Sequence, residues 1–477
     1  MKSKRLVYGR QREISKLEEI VKSEKSEFVA VYGRRRVGKT FLIKEYFDYT
    51  FDFHITGLAN ADTGQQLFNF DTTINTQSNL VFNESSENWL IAFKRLIEHL
   101  ELKKEAGKKI IFIDELPWFD TRSSDFMIAL EHFWNGWATN RRDIVLIVCG
   151  SAASWMINEL INNAGGLHNR VTQKMKIQAF TLKEAEEMLK AKNEAFDRYQ
   201  ILQLYMALGG IPYYLEAVRP GLSATQNIQE LCFDKSGLLR HEFGNLYRSL
   251  FKKHELYEQL VETLSTKTIG LNRREIIAIS KMKSGGTLTK ILGDLEESGF
   301  IRSYPSYSGN QKDLIYRLSD YYTFFYFKFL KKNSAQSENF WINMADSPEV
   351  KAWQGFTFEQ ICLDHVSQIK IALGISGIQT YEASWRGKSD DRSAQVDLLI
   401  DRKDQVINLC ECKFSLGNYT INKENSEKIK SKITTFKDVT KTKKAIFFTM
   451  ITTYGVNRNN YSDVLVQNEV TMDALFA

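Results

Sequence analysis

Two groups of residues in this chain have the types and spacing that chemistry requires, one near each end. The first is Gly33-Arg34-Arg35-Arg36-Val37-Gly38-Lys39-Thr40-Phe41, which follows the apolar run Phe28-Val29-Ala30-Val31-Tyr32 and opens a helical stretch through Phe47. Glycines at such a strand-to-helix turn let backbone N–H groups wrap phosphate oxygens, and the helix N-terminus adds its dipole. Lys39 is then placed to reach the β- and γ-phosphates of a nucleotide, and the Thr40 hydroxyl to bind Mg²⁺. The same chemistry needs carboxylates at the end of another strand, and Ile110-Ile111-Phe112-Ile113-Asp114-Glu115 supplies them. Asp114 can hold Mg²⁺ through water, and Glu115 can polarise the attacking water, so nucleotide hydrolysis is the expected reaction.

The second group is Glu359, Asp397, Glu411 and Lys413, with Glu411 fourteen residues after Asp397. Side chains alternate along a strand, so Glu411 and Lys413 share one face, and an antiparallel neighbour can bring Asp397 beside them. Carboxylates so placed bind Mg²⁺ or Mn²⁺, and the lysine orients or deprotonates a water for attack on a phosphodiester. Lysines 428, 430, 432, 437, 441, 443 and 444 follow with few acids between them. They could neutralise DNA phosphates or form a solvated helix face.

The elements that must position these residues are legible as pattern. Short apolar runs without alternation suit strands covered on both faces, so residues 1–180 are expected to form an α/β core with a parallel sheet. Residues 181–250 read as a helical lid. Residues 251–332 show helix patterns at about 254–265, 272–280 and 286–298. The strand patterns 300–304 and 314–318 follow, around the polar turn Ser306 to Lys312, which predicts a winged helix. Residues 340–477 read as a separate α/β domain, with a helix at about 353–369 and strands at about 395–400, 406–412 and 445–449. The aromatic run Tyr321 to Phe327 is expected to pack as core, and so are Trp134 and Trp137, which lie three apart.

With these residues in place, the chain resembles P-loop ATPases of the AAA+ and STAND type, in particular archaeal and bacterial ATPases with a winged helix and a C-terminal nuclease-like domain. The resemblance spans essentially the whole chain. It implies ATP as the nucleotide, bound between the α/β and helical subdomains. Ser151, after Val148-Cys149-Gly150, becomes the polar sensor, and Arg170, in Gly165-Gly166-Leu167-His168-Asn169-Arg170, the arginine acting on the γ-phosphate in cis or from a neighbouring copy. Tyr8-Gly9-Arg10-Gln11-Arg12-Glu13 resembles the box near the adenine, and Gly209-Gly210-Ile211-Pro212 the element of the lid. The second group resembles the PD-(D/E)xK restriction-endonuclease superfamily, in which Glu359 matches the upstream helical glutamate.

Composition narrows the alternatives. A chain of 477 residues is two to four domains at ~100–200 residues each. Its 43% hydrophobic and 26% charged content is that of a folded globular protein. A net charge of +6 names no partner by itself. No apolar run is long enough to span a membrane and no secretory leader is visible, so a cytoplasmic location without membrane contact is expected. The five cysteines include no C-x-x-C and read as buried thiols, and the seven histidines show no metal-ligand spacing. The expected protein is an ATPase whose nucleotide state controls a metal-dependent DNA nuclease, with DNA and a second copy of the chain as its expected macromolecular partners. The alternative is a regulatory ATPase switch with a silent DNA- or protein-binding module. The winged helix could bind DNA, or act as an intramolecular spacer or autoinhibitory element.

Overall fold

The computed structural model describes residues 7–78, 81–103, 107–162, 165–305, 307, 314–332, 339–389 and 392–477. Its chain divides into two compact units, Met1–Ala179 and Phe180–Ala477.

In the first unit, apolar runs that lack polar alternation become the interior of a wholly parallel sheet. Its strands are β1 (Glu27–Tyr32), β2 (Phe53–Thr56), β3 (Lys109–Asp114), β4 (Ile144–Gly150) and β5 (Gln173–Lys176), in the order β2-β3-β4-β1-β5. Every residue of β3 and β4 is buried. The outer strands β2 and β5 have four residues each, too few for a run to mark them in the sequence. The connecting helices are α1 (Gln11–Lys22), α2 (Lys39–Tyr46), α3 (Thr63–Gln77), α4 (Trp89–Leu102), α5 (Phe126–His132) and the short α6 (Ala153–Trp155). Between α3, α4 and α5, the fully buried Trp89 meets Phe70 and Phe126 edge-on, at 5.7 and 4.9 Å. Trp134 is buried against Phe28, whereas Trp137, on the π turn after α5, is half-buried and donates its indole N–H to Glu101 at 3.0 Å.

The second unit begins with helices α7 (Leu182–Lys192), α8 (Arg198–Leu208), α9 (Pro212–Glu216), α10 (Ala224–Ile228) and α11 (Glu242–Leu250). Next come α12 (His254–Ser265), the two-residue strand β6 (Leu271–Asn272), α13 (Arg273–Ser280), α14 (Gly286–Glu297) and the hairpin β7 (Ile301–Pro305) and β8 (Leu314–Leu318). These strands form a small antiparallel sheet in the order β6-β8-β7. Lys312 and, apart from Tyr307, the turn Ser306 to Lys312 lie outside the described residues. The aromatic run forms α15 (Tyr321–Phe325) and continues through a π turn to Leu330. Phe325 packs against Phe233, Trp341 and Trp353 at ring distances of 6.0, 5.1 and 5.3 Å, so the run is core, joining α16 (Phe340–Met344) to α17 (Pro348–Asp364).

Where one helix was expected at 353–369, there are two, α17 and α18 (Val366–Ala372). The break falls at His365, whose Nδ1 lies 2.8 Å from the Ile361 carbonyl and whose Nε2 accepts the Leu182 N–H at 3.1 Å. The remaining strands are β9 (Thr380–Ser389), β10 (Arg392–Arg402), β11 (Val406–Lys413), β12 (Ala445–Thr452) and β13 (Asn468–Thr471), in the order β13-β12-β11-β10-β9. Strands β9 to β11 are antiparallel, and β11 to β13 are parallel. Helix α19 (Lys423–Thr440) connects β11 to β12, and α20 (Ser462–Leu465) precedes β13. The fully buried Asn408 on β11 donates to Thr449 Oγ1 at 3.0 Å and Asn468 Oδ1 at 3.1 Å, which pins the register of three strands.

All five cysteines are buried and free, and among the described residues no helix is long and apolar enough to cross a membrane. Trp353 is 1% exposed, and Trp353→Ala should cost the second unit about 3–5 kcal/mol, read as a lowered urea midpoint.

Candidate functional site

The loop between β1 and α2 bends through glycines at both ends. Gly33 has φ 140°, and a Cβ there would lie 2.2 Å from the Ile177 carbonyl oxygen. Gly38, with φ 88°, precedes the first residue of α2. Lys39 is 5% exposed, and its ammonium donates to the carbonyls of Gly33 (3.0 Å) and Arg34 (2.8 Å). Burial lowers its pKa, with Cys149, Glu115 and Asp114 opposing the shift. Arg34 and Val37 are buried, Arg35 and Arg36 half-buried, and Phe41 is exposed.

The Thr40 hydroxyl donates to Asp114 Oδ2 at 2.9 Å and Oδ1 at 3.1 Å, joining the first turn of α2 to the end of β3. Glu115 has a left-handed backbone, φ 50°, and its N–H donates to Asp114 Oδ1 at 3.0 Å. The Ser151 hydroxyl donates to Glu115 Oε1 at 3.1 Å and its N–H to Oε2 at 3.4 Å. Ser151 follows β4, the neighbour of β3, so adjacent strand ends hold Glu115 and its partner together. The 5%-exposed Arg10 donates to the carbonyls of Val37 (3.0 Å) and Gln178 (2.8 Å), clamping the loop to the chain leaving β5. Arg170 is exposed, and among the described residues no hydrogen bond or ion pair joins its side chain to Lys39, Thr40, Asp114 or Glu115.

The second group is assembled by α17, β10 and β11. In the antiparallel pairing Leu398 faces Cys410, and the pairing of β10 with β9 shifts register between Val396 and Leu399, around Asp397. Asp397 sits at this irregularity and is 9% exposed. Glu411 Oε1 lies 2.7 Å from Lys413 Nζ, and its Oε2 is paired with Lys432 of α19. Glu359 Oε2 faces Arg317 Nη2 of β8 at 3.9 Å.

Burial is the largest influence on every carboxyl in this group, and the neighbours decide the outcome. Burial and then the Asp397 charge push Glu359 up to about 8. Burial and then Glu411 raise Asp397 as well. For Glu411, Lys432 and Lys413 outweigh burial and hold it below the usual carboxylate value. Lys413 is raised because its Glu411 partner outweighs burial.

Sequence reasoning missed three contributors. Arg317 carries no signal, because its role arises only when β8 meets α17. Lys432 lies within the lysine run, read as facing DNA or solvent, yet its side chain is only 20% exposed. Asp364, five residues after Glu359, binds Arg302 of β7 at 2.5 Å and the Tyr321 hydroxyl at 2.7 Å. Tyr199 of α8 stacks at 5.1 Å on Phe414, the residue after Lys413, and Arg198 donates to Asp473 at 2.9 Å.

A five-stranded parallel sheet with a glycine-lysine-threonine loop after β1 and two acids at the end of β3 defines a P-loop ATPase fold. Residues 7–218 match a family described as an ATPase domain predominantly from Archaea, and this stretch is a P-loop ATPase domain. The match runs through unit one and into α7, α8 and α9 of unit two. An uncharacterized protein of Methanocaldococcus jannaschii is 27% identical over 369 residues, covering 76% of this chain and 77% of its own length. Among solved structures, the chain is similar to a Walker-type ATPase of Pyrococcus abyssi, with TM-score 0.49 and 16% identity over 68% of this chain and 96% of that one. It is also similar to Cdc6p of Pyrobaculum aerophilum, with TM-score 0.37 and 13% identity over 69% of this chain and 95% of that one.

The Glu359 shift has a consequence for stability. The folded chain keeps this proton up to about pH 8, while the unfolded chain releases it near the ordinary carboxylate value of 4.5. The folded state therefore binds more protons between those values, and this contribution falls as pH rises through them. In Glu359→Gln it is absent, so Tm should decline less between about pH 5 and pH 8 than in the wild type, as followed by calorimetry.

Proposed function

We propose that this protein binds and hydrolyses ATP at the Lys39 loop and uses the nucleotide state to control a C-terminal nuclease-like domain that acts on DNA. The observation that carries the first half is the convergence of Lys39, Thr40, Asp114, Glu115 and Ser151. Thr40 and Asp114 already meet through hard oxygen donors, a set that suits Mg²⁺, and these two residues would hold it. When bound, Mg²⁺ neutralises charge on the β- and γ-phosphates. Lys39 exchanges the Gly33 and Arg34 carbonyls for phosphate oxygens, and the loop's N–H groups and the start of α2 receive the rest of the anion. Glu115, held by Ser151, orients the attacking water. Arg170, exposed in its turn, is available to a γ-phosphate in cis or from a second copy.

The grouping of Glu359, Asp397, Glu411 and Lys413 on α17, β10 and β11 supports the nuclease-like reading of the second unit, as does the mixed sheet around them. Exposed Lys423, Lys430, Lys437, Lys441 and Lys443 on and after α19 suit a polyanionic partner. The succession α12, β6, α13, α14, β7, β8 supports a winged helix. Its hairpin, tied to α17 through Arg302 and Arg317, favours the intramolecular role over groove reading. Coupling is supported by α8, which belongs to the ATPase-matched stretch and stacks through Tyr199 on Phe414 beside Lys413.

Among the described residues, no three of His, Cys, Asp or Glu are grouped so as to hold a metal ion. The C-terminal donors have the chemistry for Mg²⁺ or Mn²⁺ but, as they stand, not the arrangement. That observation favours a second reading, in which the C-terminal unit is a catalytically silent DNA- or protein-binding module under ATP control.

Lys39→Ala should abolish ATP binding in calorimetry, and an unchanged affinity would defeat the loop assignment. Incubating single-stranded, duplex and branched DNA with Mg²⁺ or Mn²⁺, with and without ATP, beside an Asp397→Ala, Lys413→Ala double variant separates the two readings. Cleavage lost in the double variant is expected of the nuclease. Absence of cleavage with ATP turnover intact would leave the regulatory switch.

A further inference from the structure

Two of the three C-terminal carboxyls face cations directly: Glu411 meets Lys413 and Lys432, and Glu359 faces Arg317. With Glu359 holding its proton, the three cations Arg317, Lys413 and Lys432 stand over the two carboxylates Asp397 and Glu411, so the cluster lacks no positive charge without any metal. Only Lys413 belongs to the Glu-x-Lys spacing. Lys432 comes from α19, and Arg317 comes from the hairpin strand β8. Both oxygens of Glu411 are taken, Oε1 by Lys413 and Oε2 by Lys432. Glu359 faces Arg317 at 3.9 Å. Glu359 and Glu411 are therefore drawn toward separate partners on β8, β11 and α19.

We infer that Lys432 and Arg317 hold this cluster closed against divalent cations, so that metal binding requires the cations to leave the carboxylates. The inference rests on the nuclease-like reading of the unit. The two restraints differ in kind. The Lys432 side chain is 20% exposed, on a long stem that can swing into solvent, so its restraint is local. That of Arg317 is 8% exposed and sits in a strand whose neighbour β7 is tied to α17 by the Arg302–Asp364 pair, so it withdraws only when the hairpin shifts. The close ion pairs of Glu411 in this poorly solvated site are costly to break singly, because the abandoned charge stays behind. A divalent cation relieves this cost at Glu411 by replacing the ammonium. A polyanion that attracts Lys432 away does the same from the opposite side, and metal and polyanion binding should then reinforce each other.

Mn²⁺ titration by calorimetry tests this without relying on activity. Lys432→Gln should bind Mn²⁺ about tenfold more tightly than the wild type, Arg317→Gln should change in the same direction, and Lys432→Arg should stay at the wild-type value. Asp397→Ala added to Lys432→Gln should remove the binding. Lys432 is partly exposed, so its variants should fold, as circular dichroism would verify. If Lys432→Gln binds Mn²⁺ no better than the wild type, the inference is overturned, while the nuclease-like reading stands provided that wild-type binding depends on Asp397. If no variant binds Mn²⁺, the inference and the metal-dependent reading fall together.

Discussion

A charge taken out of water must find an opposite charge, a set of hydrogen bonds or a proton, and both chemical centres of this protein are solutions to that requirement. At the phosphate loop, a buried ammonium is satisfied by two backbone carbonyls, and a buried carboxylate by a hydroxyl and a backbone N–H. These partners are neutral, so phosphates can displace them without stranding a charge. At the C-terminal cluster Glu411 and Glu359 face charged partners, and Glu411 is committed to two of them. The first centre is thus open to its ligand as it stands, and the second is restrained.

That difference gives α17 its importance. The helix carries Glu359 into the cluster, Trp353 into the aromatic core with Phe325 and Trp341, and Asp364 into contact with Arg302 and Tyr321. Its last turn is met by Leu182 through His365. A shift of α17 therefore cannot be confined to one neighbourhood: it changes the hairpin contact, the aromatic packing and the placement of a carboxylate together. Tyr199 against Phe414 adds a second mechanical link, from α8 to the end of β11.

How much of this was legible in the sequence varies with how local each feature is. Gly33, Gly38, Lys39 and Thr40 can be read directly because the turn imposes its own backbone demands, and β1, β3 and β4 announce themselves as uninterrupted apolar runs. Strands β2, β5 and β6 are too short to do so, and pairing with a neighbour defines them. Asp397, Glu411 and Lys413 follow from strand alternation plus one antiparallel pairing. Arg317 and Lys432 do not, because nothing within their own segments distinguishes an arginine that meets a distant helix, or one lysine among seven, from a solvated side chain. The break at His365 was hidden for the same reason, since the group that holds it lies 183 residues away.

The Arg198–Asp473 bridge joins residues 275 apart, and Arg198 also lies 4.9 Å above the Phe476 ring. Contacts of such sequence separation form late, because a long loop must close before they contribute. Helices α7 and α8 leave the ribosome long before Asp473 and Phe476, the partners of Arg198. During synthesis, the second unit therefore passes through an incomplete state in which α8 waits for the tail. In a cell this interval, more than the finished fold, is where chaperone dependence and aggregation should concentrate.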